Sequence, residues 1–175
     1  MNKSKIILII LLSIGCQNTN NEINEYLTKS EEYRKSNQLR EAIIELRNLI
    51  KKYPKHKLAS ESQFMIAEIY LNDVKDFQFA IEEFKKVYNL YPNSKESAKS
   101  QFMIGYIYAN YLQSYSDALE YYYNFIKKYP KHELKISVEY EINELKKYET
   151  IIDSLNNISK KIKEISWIKI YLKVK

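Results

Sequence analysis

The sequence is poor in the residues that interrupt helices or brace small folds. Its 175 residues include 2 glycines, 3 prolines, 1 cysteine and 1 tryptophan. Folds made of strands and tight turns need many residues at positive φ, so this composition excludes most of them. A single cysteine excludes an intramolecular disulfide. Two glycines are too few for a phosphate-binding loop, which excludes the common nucleotide-binding motifs.

The sequence does contain a repeat with a period of 38 residues. Each of its three prolines follows a tyrosine, and the prolines stand at positions 54, 92 and 130. Ala42, Ala80 and Ala118 keep the same step. The segment 50–56 recurs letter for letter at 126–132. Because a fixed period of this length is typical of stacked helical units, the sequence predicts an all-α solenoid, and such solenoids mostly bind other proteins.

Turn signals divide each repeat into two helices. We predict helices at about 22–35 and 39–52, 58–72 and 77–90, and 95–111 and 116–128, with a seventh near 134–148 that begins a fourth repeat. Asn93 and Glu96 have the spacing of a capping box at the start of the fifth helix. Residues 149–175 lie beyond the repeats, and we expect a capping helix and a basic tail there. The apolar stripe that we expect to pack on the last repeat is Ile151, Leu155, Ile158, Ile162 and Ile165. Residues 166–175 are compatible with helix, strand or disorder.

The N-terminus has the features of an export signal. Two lysines precede an apolar run at 6–12 that is too short to span a bilayer. Gly15 directly precedes Cys16, and this pattern resembles a bacterial lipoprotein signal, although Ser13 stands where leucine is usual. The resemblance implies a signal peptide at 1–15, a tether at 16–21 and lipid attachment at Cys16. An ordinary cleaved signal peptide is the alternative.

The resemblance also implies a location. In lipoproteins of bacteria with two membranes, aspartate after the cysteine favours the inner membrane, and Gln17 is not aspartate. We therefore expect an outer membrane lipoprotein that faces the periplasm, or a cell-surface lipoprotein where there is no outer membrane.

The repeat itself resembles the tetratricopeptide repeat. Besides the alanines and prolines, the match is carried by small residues at Ala67 and Gly105 and by Tyr70 and Tyr108. It covers about residues 22–148, or about three and a half repeats, and implies a right-handed superhelix with a concave protein-binding face. The residues that the resemblance assigns to that face are Glu31, Arg34, Lys35, Glu68, Asn72, Lys99, Tyr106 and Asn110.

Within that family the exported members are most similar. The stretch 118–132 resembles the lipoprotein component of the outer-membrane β-barrel assembly machinery (BamD-like), which implies a lipid-anchored scaffold for other envelope proteins or peptides. The alternatives are an envelope coordinator of the Tol–Pal and cell-division type (CpoB-like) and a self-associating structural protein of the envelope.

Residues suited to catalysis or metal binding are few. His56 and His132 occupy identical turns, so a structural role is favoured over a metal site. We expect no enzymatic activity, no cofactor and no small-molecule substrate. Residues 16–158 carry 20 basic and 21 acidic side chains, which disfavours nucleic-acid binding. Six lysines and one glutamate at 159–175 form a basic tail that could meet anionic lipid or remain solvated.

Overall fold

The computed structural model describes residues 3–173, with side chains from 19 to 163 apart from 149, 152, 153, 155 and 156. The helices are α1 Lys3–Lys35, α2 Leu39–Lys52, α3 Lys57–Glu68, α4 Phe77–Leu90, α5 Lys95–Asn110, α6 Tyr115–Lys128 and α7 Lys135–Lys173, and a π-helical turn, Ile69–Val74, continues α3. No strand occurs between residues 3 and 173. The predicted all-α helical repeat fold is confirmed.

Each helix packs mainly on the next one in the chain, through connections of two to six residues. Such short connections make neighbouring helices antiparallel. We call α1, α3, α5 and α7 the A helices and α2, α4 and α6 the B helices. All A helices therefore run in one direction. The part of α1 before residue 22 and the part of α7 after residue 148 consequently leave the stack from opposite edges.

The turn inside each repeat has one residue in the left-handed region. These residues are Asn37, Lys75 and Gln113, with φ of 57°, 60° and 53°, and they stand 38 residues apart. Asparagine tolerates this conformation, whereas lysine and glutamine adopt it at a cost. The left-handed backbone conformation of these turns thus recurs with the same 38-residue period as the sequence.

One extra residue distinguishes these turns in the second and third repeats. In the first repeat the Gln38 amide donates to the Tyr33 carbonyl, five residues back, over 2.8 Å. The corresponding bonds, from Asp76 to Tyr70 and from Ser114 to Tyr108, span six residues and are each 2.9 Å long. In the second repeat the insertion appears as the π-helical turn, so the helix continues to Val74 and not to the predicted end at residue 72.

The turns between repeats use the Tyr-Pro pairs. The amides of His56, Ser94 and His132 donate to the carbonyl three residues earlier over 3.0–3.1 Å. The Nδ1 atoms of both histidines accept a backbone amide two residues later, His56 from Leu58 over 3.2 Å and His132 from Leu134 over 3.1 Å. These imidazoles therefore have the structural role that the sequence favours, as caps of helical turns.

The predicted capping box at Asn93 and Glu96 is wrong. The residue at the N-cap of α5 is Ser94, which makes no side-chain capping bond. Glu96 is buried and accepts a hydrogen bond of 2.8 Å from the Ser60 hydroxyl of the preceding repeat. The Glu96 side chain thus links α3 to α5 instead of capping the N-terminus of α5.

The core is a row of three clusters, and in each a B helix packs against an A helix. The repeated alanines at 42, 80 and 118 have no exposed surface, and neither do Leu46, Phe84 and Tyr122 at the paired large position. Full burial of such large side chains contributes about 1.5–3 kcal/mol each. The repeated alanine and the large position four residues after it are therefore packing positions.

The ends of the chain differ from the prediction. The first helix begins at Lys3 and not near residue 22, and α7 continues through residue 149 without a break. The expected cap on the last repeat is wrong where the side chains are described, since Ile151, Ile158 and Ile162 are 54%, 54% and 61% exposed. Leu155 and Ile165 lie outside the described side chains. The stripe is exposed because α7 extends past α6, the helix on which it packs.

Candidate functional site

The A helices together form one face of the stack, which we call the A-helix face. All eight predicted binding residues lie on α1, α3, the π-helical turn or α5. Of these residues, Arg34, Glu68 and Tyr106 are half-buried, and the other five are exposed. The face therefore combines half-buried side chains, which are held by packing, with exposed ones.

Charged side chains of the A-helix face come from three successive repeats. The Arg34 Nε donates to Oδ2 of Asp73 over 2.6 Å and so joins α1 to the π-helical turn. Burial raises the pKa of Glu68, while the charges of Arg34 and Lys99 act to lower it and that of Asp73 to raise it further. Glu68 thus lies within electrostatic range of charges from the repeats on both sides.

An aromatic section follows on α5. The Tyr106 ring lies 6.2 Å from the ring of Phe102 and 6.1 Å from that of Tyr111, between their centroids. Asn110 donates from Nδ2 to the Tyr106 carbonyl over 3.0 Å. Tyr106 is therefore held by its neighbours, whereas the amide oxygen of Asn110 is left to accept another hydrogen bond.

Two of the predicted residues are not brought into any cluster. Glu31 and Lys35 are exposed on α1, and within the described side chains neither forms an ion pair or a side-chain hydrogen bond. Asn72 is exposed in the π-helical turn beside Asp73. These three side chains remain at the surface of the A-helix face.

The sequence reasoning missed the continuation of this face on α7. A further step of 38 residues from Tyr106 and Asn110 gives Glu144 and Tyr148. These line a cleft of about 370 Å³ together with Asn110, Tyr140 and Glu141. The period contained this signal, since a seventh helix was already predicted to begin a fourth repeat.

The cleft gives the face an acidic end. Burial, and then the charge of Glu144, raise the pKa of Glu141. Tyr115 and Tyr148 stack beside them with ring centroids 6.3 Å apart. Carboxylates next to aromatic faces suit a cationic group, because both attract positive charge. The A-helix face thus changes from the ion pair between α1 and the π-helical turn to tyrosines and carboxylates on α7, where Glu144 is paired with Lys147.

Other chemistry has little support among the described side chains. In that part of the chain, no group of three or more histidine, cysteine, aspartate or glutamate residues is placed to hold a metal ion. No helix, over the residues searched, is long and apolar enough to cross a membrane. The side chain of Cys16 lies outside the described ones, so its predicted lipidation stays a prediction.

Comparison with known families supports both the repeat and the lipoprotein resemblance. A tetratricopeptide repeat profile matches residues 33–56, which are the end of α1, all of α2 and the turn after it. The profile of the YfiO family, described as an outer membrane lipoprotein, matches residues 71–164, more than half of the chain. The chain therefore belongs to the YfiO outer membrane lipoprotein family. Among curated proteins no match is found.

This membership confirms the resemblance to repeat-containing assembly lipoproteins. It also confirms the expected location, so the protein is an outer membrane lipoprotein of the cell envelope. The matched families are described as a tetratricopeptide repeat and as an outer membrane lipoprotein. The protein is thus a tetratricopeptide-repeat lipoprotein that acts through protein–protein interactions.

Proposed function

We propose that the protein is a lipid-anchored scaffold that faces the periplasm and holds envelope proteins during assembly of the outer membrane. The A-helix face, which is concave in tetratricopeptide repeats, would bind a segment of the partner. Membership of the outer membrane lipoprotein family supports the location, and the surface chemistry supports the mode of binding.

One observation carries the proposal: the A-helix face presents polar and aromatic groups from every repeat. Arg34, Glu68 and Lys99 come from three successive repeats, and Tyr106 and Asn110 extend the series toward α7. An extended or helical peptide laid across the A helices would meet these groups in order. Amide and charged groups would fix its direction, and the tyrosines would supply apolar contact at little entropic cost.

The acidic end of the face indicates which part of a partner binds there. Glu141 and Glu144 lie with Tyr140 and Tyr148 around the cleft on α7. A lysine or arginine of the bound segment would pair with these carboxylates and pack on the tyrosine rings. Binding at this end is therefore expected to weaken as salt concentration rises.

Affinity capture from envelope membranes tests the proposal. The bait is the full chain, and the variant combines Glu68→Ala, Tyr106→Ala and Asn110→Ala. The control is Glu120→Ala, an exposed carboxylate on the B helix α6. We expect the triple variant to lose partners that the control retains. Retention of every partner by the triple variant would refute binding through this face.

Lipid attachment requires a separate experiment. Cys16→Ser removes the thiol that the lipoprotein pathway would modify. We expect the variant protein to leave the membrane fraction and to appear in the soluble periplasmic fraction. Unchanged membrane partitioning would show that Cys16 is not the anchor, whatever the outcome of the capture experiment.

A second candidate, a self-associating envelope protein, is favoured by the exposed stripe on α7. Ile151, Ile158 and Ile162 follow spacings of seven and four residues, which are those of a coiled-coil seam. Sedimentation distinguishes the two, because self-association requires a stable oligomer that dissociates when Ile158 is replaced by lysine.

A further inference from the structure

A second cleft lies between the B helix α2 and the π-helical turn. It has a volume of about 340 Å³. Its apolar lining comes from Leu39, Ile43, Ile44, Tyr70 and Val74, and its two charged lining residues are Arg40 and Arg47. No carboxylate is among these lining residues.

Two residues of this cleft, Ile44 and Arg40, depart from the repeat. Ile44 is 44% exposed, yet one and two steps of 38 residues later the same position holds the exposed carboxylates Glu82 and Glu120. Arg40 is likewise replaced by Gln78 in the next repeat. The packing of the solenoid therefore accepts a polar side chain at position 44. An exposed isoleucine at position 44, where the next two repeats have glutamate, therefore indicates a contact outside the solenoid.

The apolar surface continues beyond the cleft. Val74, at the end of the π-helical turn, is 44% exposed, and Phe79, at the start of α4, is 50% exposed. The Phe79 ring stacks on that of Tyr70 with centroids 5.5 Å apart. A contiguous exposed apolar patch with charged residues at its edge is typical of a protein interaction site.

The positive charge of the cleft favours an acidic ligand. Arg40 is exposed, and Arg47 uses one nitrogen, Nη2, to bind Oε1 of the buried Glu83 over 2.9 Å. A guanidinium has five N–H donors in a fixed plane, so Arg47 is oriented by Glu83 while other donors stay available. Lys75 adds a further exposed positive charge after the π-helical turn.

The spacing of these residues defines the shape of the ligand. Residues 40–47 read Arg-x-x-Ile-Ile-x-x-Arg, so the two arginines and both isoleucines lie on one face of α2. The arginines are about 10 Å apart along the helix axis. A partner helix with the complementary pattern, Glu-x-x-Leu-Leu-x-x-Glu, would place two carboxylates beside the arginines and two apolar side chains in the cleft.

We propose that this cleft docks an acidic amphipathic helix of a partner protein. Its apolar residues enter between Ile44 and Val74, and its carboxylates pair with Arg40 and Arg47. The site is formed by α2 and the π-helical turn and uses none of the eight residues assigned to the A-helix face, so a partner held there leaves those residues free.

A synthetic helical peptide with the pattern Glu-x-x-Leu-Leu-x-x-Glu tests the proposal by fluorescence anisotropy against the full chain in detergent. We expect Ile44→Glu, which installs the residue of the later repeats, to weaken binding about tenfold. The matched control is Glu82→Ala at the equivalent position of α4, and it should bind like the wild type. Circular dichroism checks that the variants remain helical. Equal binding by Ile44→Glu and the wild type overturns the proposal.

A charge exchange separates docking from a general loss of structure. Arg40→Glu should weaken binding of the acidic peptide about threefold to fivefold, and a peptide with one glutamate changed to lysine should restore it. Failure of that rescue, or equal affinity for a peptide with both glutamates changed to lysine, overturns the proposal. So does a dimer in sedimentation that Ile44→Glu dissociates, since the occupant is then a second copy. Binding to phosphatidylglycerol vesicles that is abolished by Ile44→Glu overturns it in favour of a lipid surface.

Discussion

The ring of Tyr122 occupies the space that a side chain at position 105 would need: a Cβ built on Gly105 would lie 2.5 Å from Cε1 and 2.7 Å from Cδ1 of that ring. Tyr122 is fully buried, so the ring has little room to move away. Overpacking costs about 1–3 kcal/mol, and the better helix propensity of alanine offsets up to about 1 kcal/mol. We expect Gly105→Ala to lower the free energy of unfolding by about 1 kcal/mol in urea titration. The same substitution made in a Tyr122→Leu background should cost less, and an unchanged single variant would contradict this account.

The buried hydroxyl of Tyr122 lowers the stability of the folded protein. It is buried and, among the residues that the structure describes, has no hydrogen-bond partner. Burial raises the pKa of Tyr122, and Phe84 stands at the equivalent position of the second repeat. We expect Tyr122→Phe to stabilise the protein by about 1 kcal/mol. As a control, Tyr129→Phe removes the 2.9 Å hydrogen bond to Ser97 and should destabilise it. A loss of stability in Tyr122→Phe would mean that the hydroxyl is satisfied.

The left-handed residue in the second turn offers a stabilising substitution. Lys75 has φ of 60° at the end of the π-helical turn. Glycine adopts this conformation without steric cost, so we expect Lys75→Gly to raise the free energy of unfolding by about 0.5–1 kcal/mol. Lys75→Ala keeps the strain and should leave stability nearly unchanged. Thermal melts of both variants measure the effect, and equal melting temperatures would contradict it.

A buried carboxylate connects three helices of the first two repeats. The Glu83 side chain is 3% exposed and accepts from Arg47 and Lys86, each over 2.9 Å, and from Gln63 over 2.6 Å. Glu83→Ala leaves these donors without their acceptor, and we expect a loss of about 3 kcal/mol. Its neighbour Glu82 is exposed, so Glu82→Ala should change stability by less than about 0.5 kcal/mol. Similar losses in the two variants would show that the network contributes little.

Glu68 on the A-helix face should make stability depend on pH. Because burial raises the pKa of its carboxyl above the usual 4.5, the protonated form is favoured in the folded state. Its contribution to stability is therefore full below about pH 4.5 and is lost as pH rises through the folded pKa. We expect Glu68→Gln to be more stable than the wild type at pH 7, with a difference that shrinks below pH 4.5. Urea titrations of both proteins at pH 7 and below pH 4.5 measure the difference, and an equal difference at the two pH values would contradict this account.

The repeat made much of the fold predictable. The bounds of α2 and α4 match the prediction to the residue, since a proline or a polar turn follows each of them. The π-helical turn was not predictable, because an insertion of one residue is equally compatible with a longer loop. The role of Glu96 was missed for another reason. Its spacing from Asn93 suits a local cap, but Ser60 in the preceding repeat offers a hydroxyl once the helices are packed.

The candidate site was predictable only where it follows the period. The eight residues lie on the A helices as expected, but the ion pair of Arg34 with Asp73 joins side chains 39 residues apart and depends on how α1 meets the π-helical turn. The cleft at Ile44 was missed although the period contained a signal, since Glu82 and Glu120 stand at the equivalent positions of the later repeats. The structure shows that Ile44 is indeed exposed.

Because the A helices run in one direction, α7 extends from the stack on the side opposite the N-terminal part of α1. α7 is 39 residues long and therefore measures about 58 Å. It begins at the edge from which α1 extends toward residue 16 and ends far beyond the opposite edge. Were Cys16 lipid-modified as proposed, the solenoid would act as a spacer, and the end of α7 would lie on the side away from the membrane.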